Sequence, residues 1–327
     1  MNKNIVRTQH YVQQAVVMEQ WKNKDKMVGV IGKTHDGKLR KEKEKSTKNL
    51  FCEDYQYEWF RAVFPNNIKI TQNIKLIFDA EHVVNTNDGE EYCKRIEDQA
   101  APIFKEMIKS ANTRNMILKN PNMIYLSYDQ WKKLASYLAL QLLRTPETRR
   151  NIFHMLVQET EEQYYSSLSQ DAEILMKMLD NLSYMAHIGV YDKKGISNKI
   201  NLPCSLFRIF KIQIQNSKLF LIYINQKNRQ FILGDNPCVI LPGKRGNVFI
   251  LMPLTPKLII FLSWNQQTTN WNQYIPKLQA SKKMIDVELF AEYINSGEKI
   301  IYNTEINSFE EIQTMIYQAR KNLNQKL

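Results

Sequence analysis

The chain has 327 residues, 43% hydrophobic and 24% charged, so a sizeable core can form and general disorder is excluded. Only 10 glycines are present, and no GxGxxG or GxxxxGK[ST] stretch occurs, which argues against the common phosphate-cradling loops. The net charge of +12 favours acidic partners such as nucleic acid, although solubility alone accounts for it equally well. Cys52, Cys93, Cys204 and Cys238 are far apart and include no C-x-x-C pair, so neither a zinc site nor a disulfide framework is expected. No cofactor is implied. The longest apolar runs, 219–224 and 258–262, are strand-sized and too short to span a bilayer. The amino-terminal stretch lacks the apolar run of a signal peptide, and a cytoplasmic location is expected.

In chain order, a short helix is expected before Trp21, a strand over 27–31, and an exposed loop or hairpin arm over 38–48. Tyr55, Tyr57, Trp59, Phe60 and Phe64 form an aromatic cluster better suited to core packing than to base stacking. A weak strand over 68–78 runs into Asp79, Glu81 and His82, three potential metal ligands with no second cluster to complete a site. Ile96, Ala100, Ile103, Phe104, Met107 and Ile108 recur at helical spacing and predict a helix over 90–111. Ser127 and Gln130 form a capping box for the next helix, where Trp131, Leu134, Leu138 and Leu142 share a face. That helix stops at Arg144. Thr145 is a candidate N-cap and Pro146 a first residue for another helix running to about Glu159. A third helix is expected over 170–188.

After Gly189 the texture becomes β-rich. Runs at 206–214, 219–224, 230–233, 238–241, 248–252 and 258–262 predict an antiparallel sheet of five or six strands, with residues 215–218 as a hairpin turn. Helices over 284–295 and 308–322 close the chain. The expected fold is α+β: a helical middle (90–188) packed on a C-terminal sheet (200–264), within a main unit of 1–264 and a helical extension of 265–327.

Tyr137, Gln141 and Arg144 are spaced i, i+4, i+7 and line one stripe of an otherwise apolar helix. Buried polar groups require partners. Either a carboxylate such as Glu97, one helix earlier, holds Arg144, or Arg144 grips a ligand phosphate or carboxylate. Arg149 and His154, with four residues between them, match the Arg-x4-6-His spacing of the HEPN ribonucleases. In that family the His assists proton transfer at the 2′-hydroxyl and the Arg steadies the phosphate. His10, between Gln9 and Tyr11, is a further candidate acid or base. Asp235 and Asn236 precede Pro237, where a turn is favoured and the side chains bind backbone N–H groups. Asp235 could instead orient a His or Arg.

Gln9-His10-Tyr11-Val12, Gln141-Leu142-Leu143-Arg144-Thr145-Pro146, Asp235-Asn236-Pro237 and Pro253-Leu254-Thr255-Pro256 occur in an order that resembles the bacterial domain of unknown function 4238 family. Gln13 stands where that family's pattern has Pro. The resemblance implies a common fold and a shared site of polar motif residues, and carries no activity with it. The expected function is a nucleic-acid-processing enzyme, a ribonuclease-like effector of bacterial toxin or phage-defence type. His10, Gln141, Arg144 and Asp235 would form the site, Gln9, Tyr137 and Asn236 would contact substrate, and Arg149 with His154 would be a second pair. The alternative is a non-enzymatic regulatory protein that binds nucleic acid or an acidic partner.

Overall fold

The computed structural model describes residues 8–14, 16–54, 88–112, 123–150, 184, 185, 187, 189, 206–243, 247–264 and 273–324. In chain order these hold β1 (Thr8–His10), β2 (Gly29–Lys33), β3 (Leu39–Lys41), β4 (Cys52–Asp54), α1 (Asp88–Asn112), β5 (Met123–Tyr125), α2 (Tyr128–Leu143) and α3 (Leu206–Gln215). Then follow β6 (Lys218–Tyr223), β7 (Leu233–Gly234), β8 (Val239–Pro242), β9 (Val248–Thr255), β10 (Leu258–Trp264), β11 (Tyr274–Gln279), α4 (Lys282–Asn295), β12 (Lys299–Tyr302) and α5 (Phe309–Asn324). The α+β class expected from the sequence is the one observed. The aromatic cluster at 55–64, the segment 68–82, His154 and most of the helix expected over 170–188 lie outside the described residues.

A six-stranded sheet of order β5-β11-β6-β10-β9-β8 forms the centre. Its neighbours are antiparallel except β11 and β6, which run parallel. Strand β10 explains why the sequence reads here as a continuous apolar run. Leu258, Ile260 and Leu262 enter one core with residues of α1, α2 and α3, while Ile259 and Phe261 face a second core with α4 and α5. A strand buried on both faces loses the hydrophobic alternation of a half-exposed one. The segment after residue 264 contributes β11 to this sheet and β12 to a second, four-stranded sheet of order β3-β2-β12-β7. A separate ribbon pairs β1 with β4.

Helix α2 runs through the first core and is buried on all sides from Leu134 to Leu143. Its start is the expected capping box: Ser127 Oγ accepts from Gln130 N at 3.2 Å, and Ser127 N donates to Gln130 Oε1 at 2.8 Å. The break after Arg144 is also found. Thr145 Oγ1 accepts from Thr148 N at 3.3 Å, Arg149 N donates to Thr145 O at 3.0 Å, and residues 146–150 are helical.

One element differs in kind. Residues 206–214, expected as a strand, lie within α3. Phe207 and Ile214, seven residues apart, are buried, with Leu206 and Phe210 partly buried beside them, so the period is helical. Ile209 and Ile212 point outward, and their β-branched character suggested a strand. Residues 215–218 are therefore the helix end rather than a hairpin turn. Ser217 Oγ donates to Gln213 O at 2.9 Å, and Trp131 Nε1 donates to Gln215 O at 3.1 Å, satisfying carbonyls that the helix leaves open.

Strand β7, expected in the main sheet, is instead an edge of the four-stranded one. One side pairs with β12. On the other, α4 offers carboxyls: Glu288 Oε1 accepts from Ile232 N at 3.0 Å and Glu292 Oε2 from Gly234 N at 2.8 Å. The spacing fits, because four helical residues rise about 6.0 Å and two strand residues about 6.6 Å. The helix thus closes an edge that would otherwise invite another strand.

Candidate functional site

The amino-terminal motif sits on the β1–β4 ribbon. His10 pairs with Cys52, Gln9 with Glu53, and Tyr11 N donates to Phe51 O at 3.0 Å. His10 Nε2 lies 3.0 Å from Lys48 O. A carbonyl can only accept, so the neutral ring carries its proton on Nε2 and leaves Nδ1 as the acceptor. Burial lowers the pKa of His10 below the usual imidazole value. The Arg144 charge acts in the same direction, and the Lys48 carbonyl and Glu97 oppose it.

The Arg144 guanidinium is 1% exposed and closely engaged. Nε donates to Tyr11 O at 2.6 Å, and Nη2 donates to Glu97 Oε1 at 2.5 Å. With the Gln141 amide oriented by its partners, its oxygen accepts from Arg144 Nε at 2.9 Å and Nη2 at 2.8 Å, and its nitrogen donates to Tyr11 O at 3.2 Å. Of the two possibilities left by the sequence, a carboxylate partner or a ligand, Glu97 is the partner seen. Tyr137 completes the stripe beneath them. Its ring meets Phe104 edge-on at 4.8 Å, and burial pushes its hydroxyl well above the usual phenol pKa. Its hydroxyl has no hydrogen-bond partner among the described residues.

Asp235 does not point at His10 or Arg144. Oδ1 accepts from Gly297 N at 2.7 Å, and Oδ2 accepts from Glu298 N at 2.7 Å and Lys299 N at 3.0 Å. Burial raises its pKa, and these three N–H groups lower it without reversing the sign. Asn236 O accepts from Asn295 Nδ2 at 3.0 Å. Lys33 Nζ caps the end of α4 by donating to Tyr293 O at 2.8 Å and Ser296 O at 2.7 Å. The Arg149 guanidinium lies 5.2 Å from the Tyr184 ring centroid.

Three of the four motif segments meet at one polar cleft; Pro253–Pro256 is not in its lining. It is lined by Tyr11, Thr145, Pro146, Glu147, Arg150, Asp235, Asn236, Gly297 and Glu298, and has room for about 50 Å³ of water-sized volume. Arg150 Nη2 pairs with Glu147 Oε2 at 2.9 Å. Arg144 and Gln141 stand behind this lining and hold it: one guanidinium ties the motif strand through Tyr11 O to α1 through Glu97. Sequence reasoning singled out the motif positions but missed Glu147, Arg150, Gly297 and Glu298. Proximity to Thr145-Pro146 was the available signal for the first two, and no local pattern marks the others. Among the described residues, no group of three or more His, Cys, Asp or Glu side chains is placed to hold a metal, and no helix is long and apolar enough to cross a membrane.

No curated protein and no solved structure matches the chain. A family model described as a protein of unknown function, DUF4238, matches residues 8–318, which takes in all four motif segments and both sheets. The chain belongs to the DUF4238 family.

Proposed function

We propose that the chain is a nucleic-acid-processing enzyme, a ribonuclease-like effector of bacterial toxin or phage-defence type, with the cleft as its active site. The observation that carries this reading is the convergence of Tyr11, Thr145-Pro146 and Asp235-Asn236 on one polar cleft; His10, the residue before Tyr11, stands outside its lining, and burial lowers the pKa of its ring. A neutral imidazole is suited to take a proton from a 2′-hydroxyl. Arg150, in the lining, supplies a cation for the adjacent phosphate. Arg144, Gln141 and Asp235 are positioning residues in this scheme. Arg149 with His154 is the competing pair.

Incubation with total RNA tests the proposal. The wild type is expected to cleave, His10→Ala to lose at least about a hundred-fold of the rate, the lower range for a lost general base, and His154→Ala to keep it. Loss with His154→Ala alone transfers the chemistry to the second pair. No cleavage by the wild type, or equal cleavage by all three, overturns the assignment.

A second reading is favoured by a specific observation: every polar group of Arg144 and Asp235 described above is used within the chain. A non-enzymatic binding or regulatory protein needs such a framework and no proton-transfer group. It predicts RNA retention without cleavage by both the wild type and His10→Ala.

A further inference from the structure

The six-stranded sheet has an aromatic stretch that the helical layer of α4 and α5 covers only in part. Side chains alternate between faces, and the pairing fixes which residues share one. Ile222, Ile259, Leu251 and Val239 lie on the face covered by α4 and α5, and all are buried. Phe220 precedes Ile222 by two, pairs with Phe261, and shares that face. Phe249 and Lys218 both pair with Ser263 and share it too. Leu278 is paired with Ile222, which places Leu278 and Tyr274 on the same face, with Tyr125 opposite Tyr274.

Toward this end the cover thins. Phe220, Phe249 and Phe261 are half-buried, while Tyr125 is 47% and Tyr274 41% exposed. The rings form two groups. Phe249 stacks on Phe261 at 5.3 Å, with Phe220 6.0 Å from Phe261, and Tyr125 meets Tyr274 at 5.9 Å. None of the six strands contains an Asp or Glu, and Lys218 stands exposed on the same face.

We propose that this face is a stacking platform for the bases of single-stranded RNA. Tyr125 and Tyr274 offer exposed ring surface to unpaired bases, and the half-buried Phe220, Phe249 and Phe261 extend that surface on the neighbouring strands, as sheet surfaces do in single-strand recognition. The absence of carboxylates, the exposed Lys218 and the +12 net charge complement phosphates running over the rings. A duplex hides its base faces and gains nothing from the rings. The platform deepens the proposed function by supplying the contact that captures the substrate. It rests on that reading only for the choice of RNA, and its test measures binding rather than cleavage.

The test uses the full chain and a fluorescein-labelled 2′-O-methyl oligouridine, which has no free 2′-hydroxyl and survives any nuclease activity. Anisotropy is expected to show binding that weakens with salt. Tyr125→Ala and Tyr274→Ala, both at exposed positions, should each weaken it about ten-fold with unchanged melting, since one base stacked on an aromatic ring is worth roughly that factor. Lys218→Glu should weaken it and flatten the salt dependence. A 2′-O-methyl duplex should bind no better than the Tyr variants do. No binding by the wild type, or equal binding by both Tyr variants, overturns the platform. So does a dimer in sedimentation that Tyr274→Ala dissolves, because the face then belongs to a second copy.

Discussion

Two buried polar clusters, one around Arg144 and one on α4, are built in opposite ways. Around Arg144, unlike charges and a primary amide satisfy one another: guanidinium, carboxylate, amide and the Tyr11 carbonyl close a network. Around α4, two carboxyls of like sign lie one helical turn apart, both fully buried, each using one oxygen on a backbone N–H, Ile232 just before β7 for Glu288 and Gly234 within it for Glu292. Their other oxygens, Glu288 Oε2 and Glu292 Oε1, have no partner among the described residues. Burial pushes both carboxyls well above the usual range, with mutual repulsion adding for Glu288 and the Asp235 charge adding for Glu292. The first cluster depends on charge and the second on its suppression. Cys238, whose thiol burial pushes well up, feels Glu292 and Arg144 in opposite senses.

The contrast can be broken most forcefully at Arg144. Arg144→Ala leaves Glu97, Gln141 and the Tyr11 carbonyl without their cation, and removal of one partner of a buried pair costs about 3–5 kcal/mol. Glu97 retains some exposure, so about 3 kcal/mol is expected, read from urea denaturation. Arg144→Lys should recover only part of it, because an ammonium cannot reproduce the fork to Tyr11 and Glu97. Next is Asp235→Ala, which strands the N–H groups of Gly297, Glu298 and Lys299. A cost of about 2 kcal/mol is expected, since one unsatisfied buried group costs about 1–3 kcal/mol and these are partly exposed.

The α4 carboxyls sharpen the comparison through pH. Their folded pKa values are raised, so the folded state binds more protons than the unfolded one. Their contribution is fully present below the unfolded value of about 4.3 and is lost as pH rises through the folded values. Stability should therefore decline toward alkaline pH. Glu288→Gln and Glu292→Gln keep an acceptor for the backbone N–H and remove the titration. They should flatten the decline and stabilise at pH 8 by roughly 1 kcal/mol, one pKa unit being worth about 1.4 kcal/mol. Melting curves at pH 5 and pH 8 decide it, and an unchanged slope in both variants means the carboxyls do not titrate there. The smallest stability effect is expected at His10. His10→Asn should cost under about 1 kcal/mol at neutral pH, the range of one net hydrogen bond, whereas its effect on RNA cleavage should be large. The depressed pKa of His10 gives stability present above about pH 6.5 and lost as pH falls through the folded value, so the cost should shrink in acid.

Where a feature depends on neighbours along the chain, residues alone located it. The Ser127–Gln130 box, the break at Thr145-Pro146 and the apolar face of α1 all follow from spacing within a turn or two. Glu97 was nameable as one possible partner of Arg144 because it lies within the preceding helix, although that helix carries five other carboxylates. Asp235 was readable as a turn acceptor, though its partners at 297–299 were not, since they lie some 60 residues away. For α3, three isoleucines carried a strand propensity that the helical burial period outweighed. The place of β5 and β11 in the main sheet, and the helix carboxyls that close β7, arise from long-range assembly that no local pattern records. Glu288 and Glu292, one turn apart on a helix, look like a solvated face until the β7 edge is set against them.

The central claim is that Arg144 ties the motif strand to α1 and so shapes the cleft instead of acting within it. A double-mutant cycle between Arg144→Ala and Glu97→Ala, followed by urea denaturation, tests it most directly. A coupling energy of about 2 kcal/mol is expected, with the double variant far less destabilised than the sum of the two. Effects that add to within about 0.5 kcal/mol would contradict it.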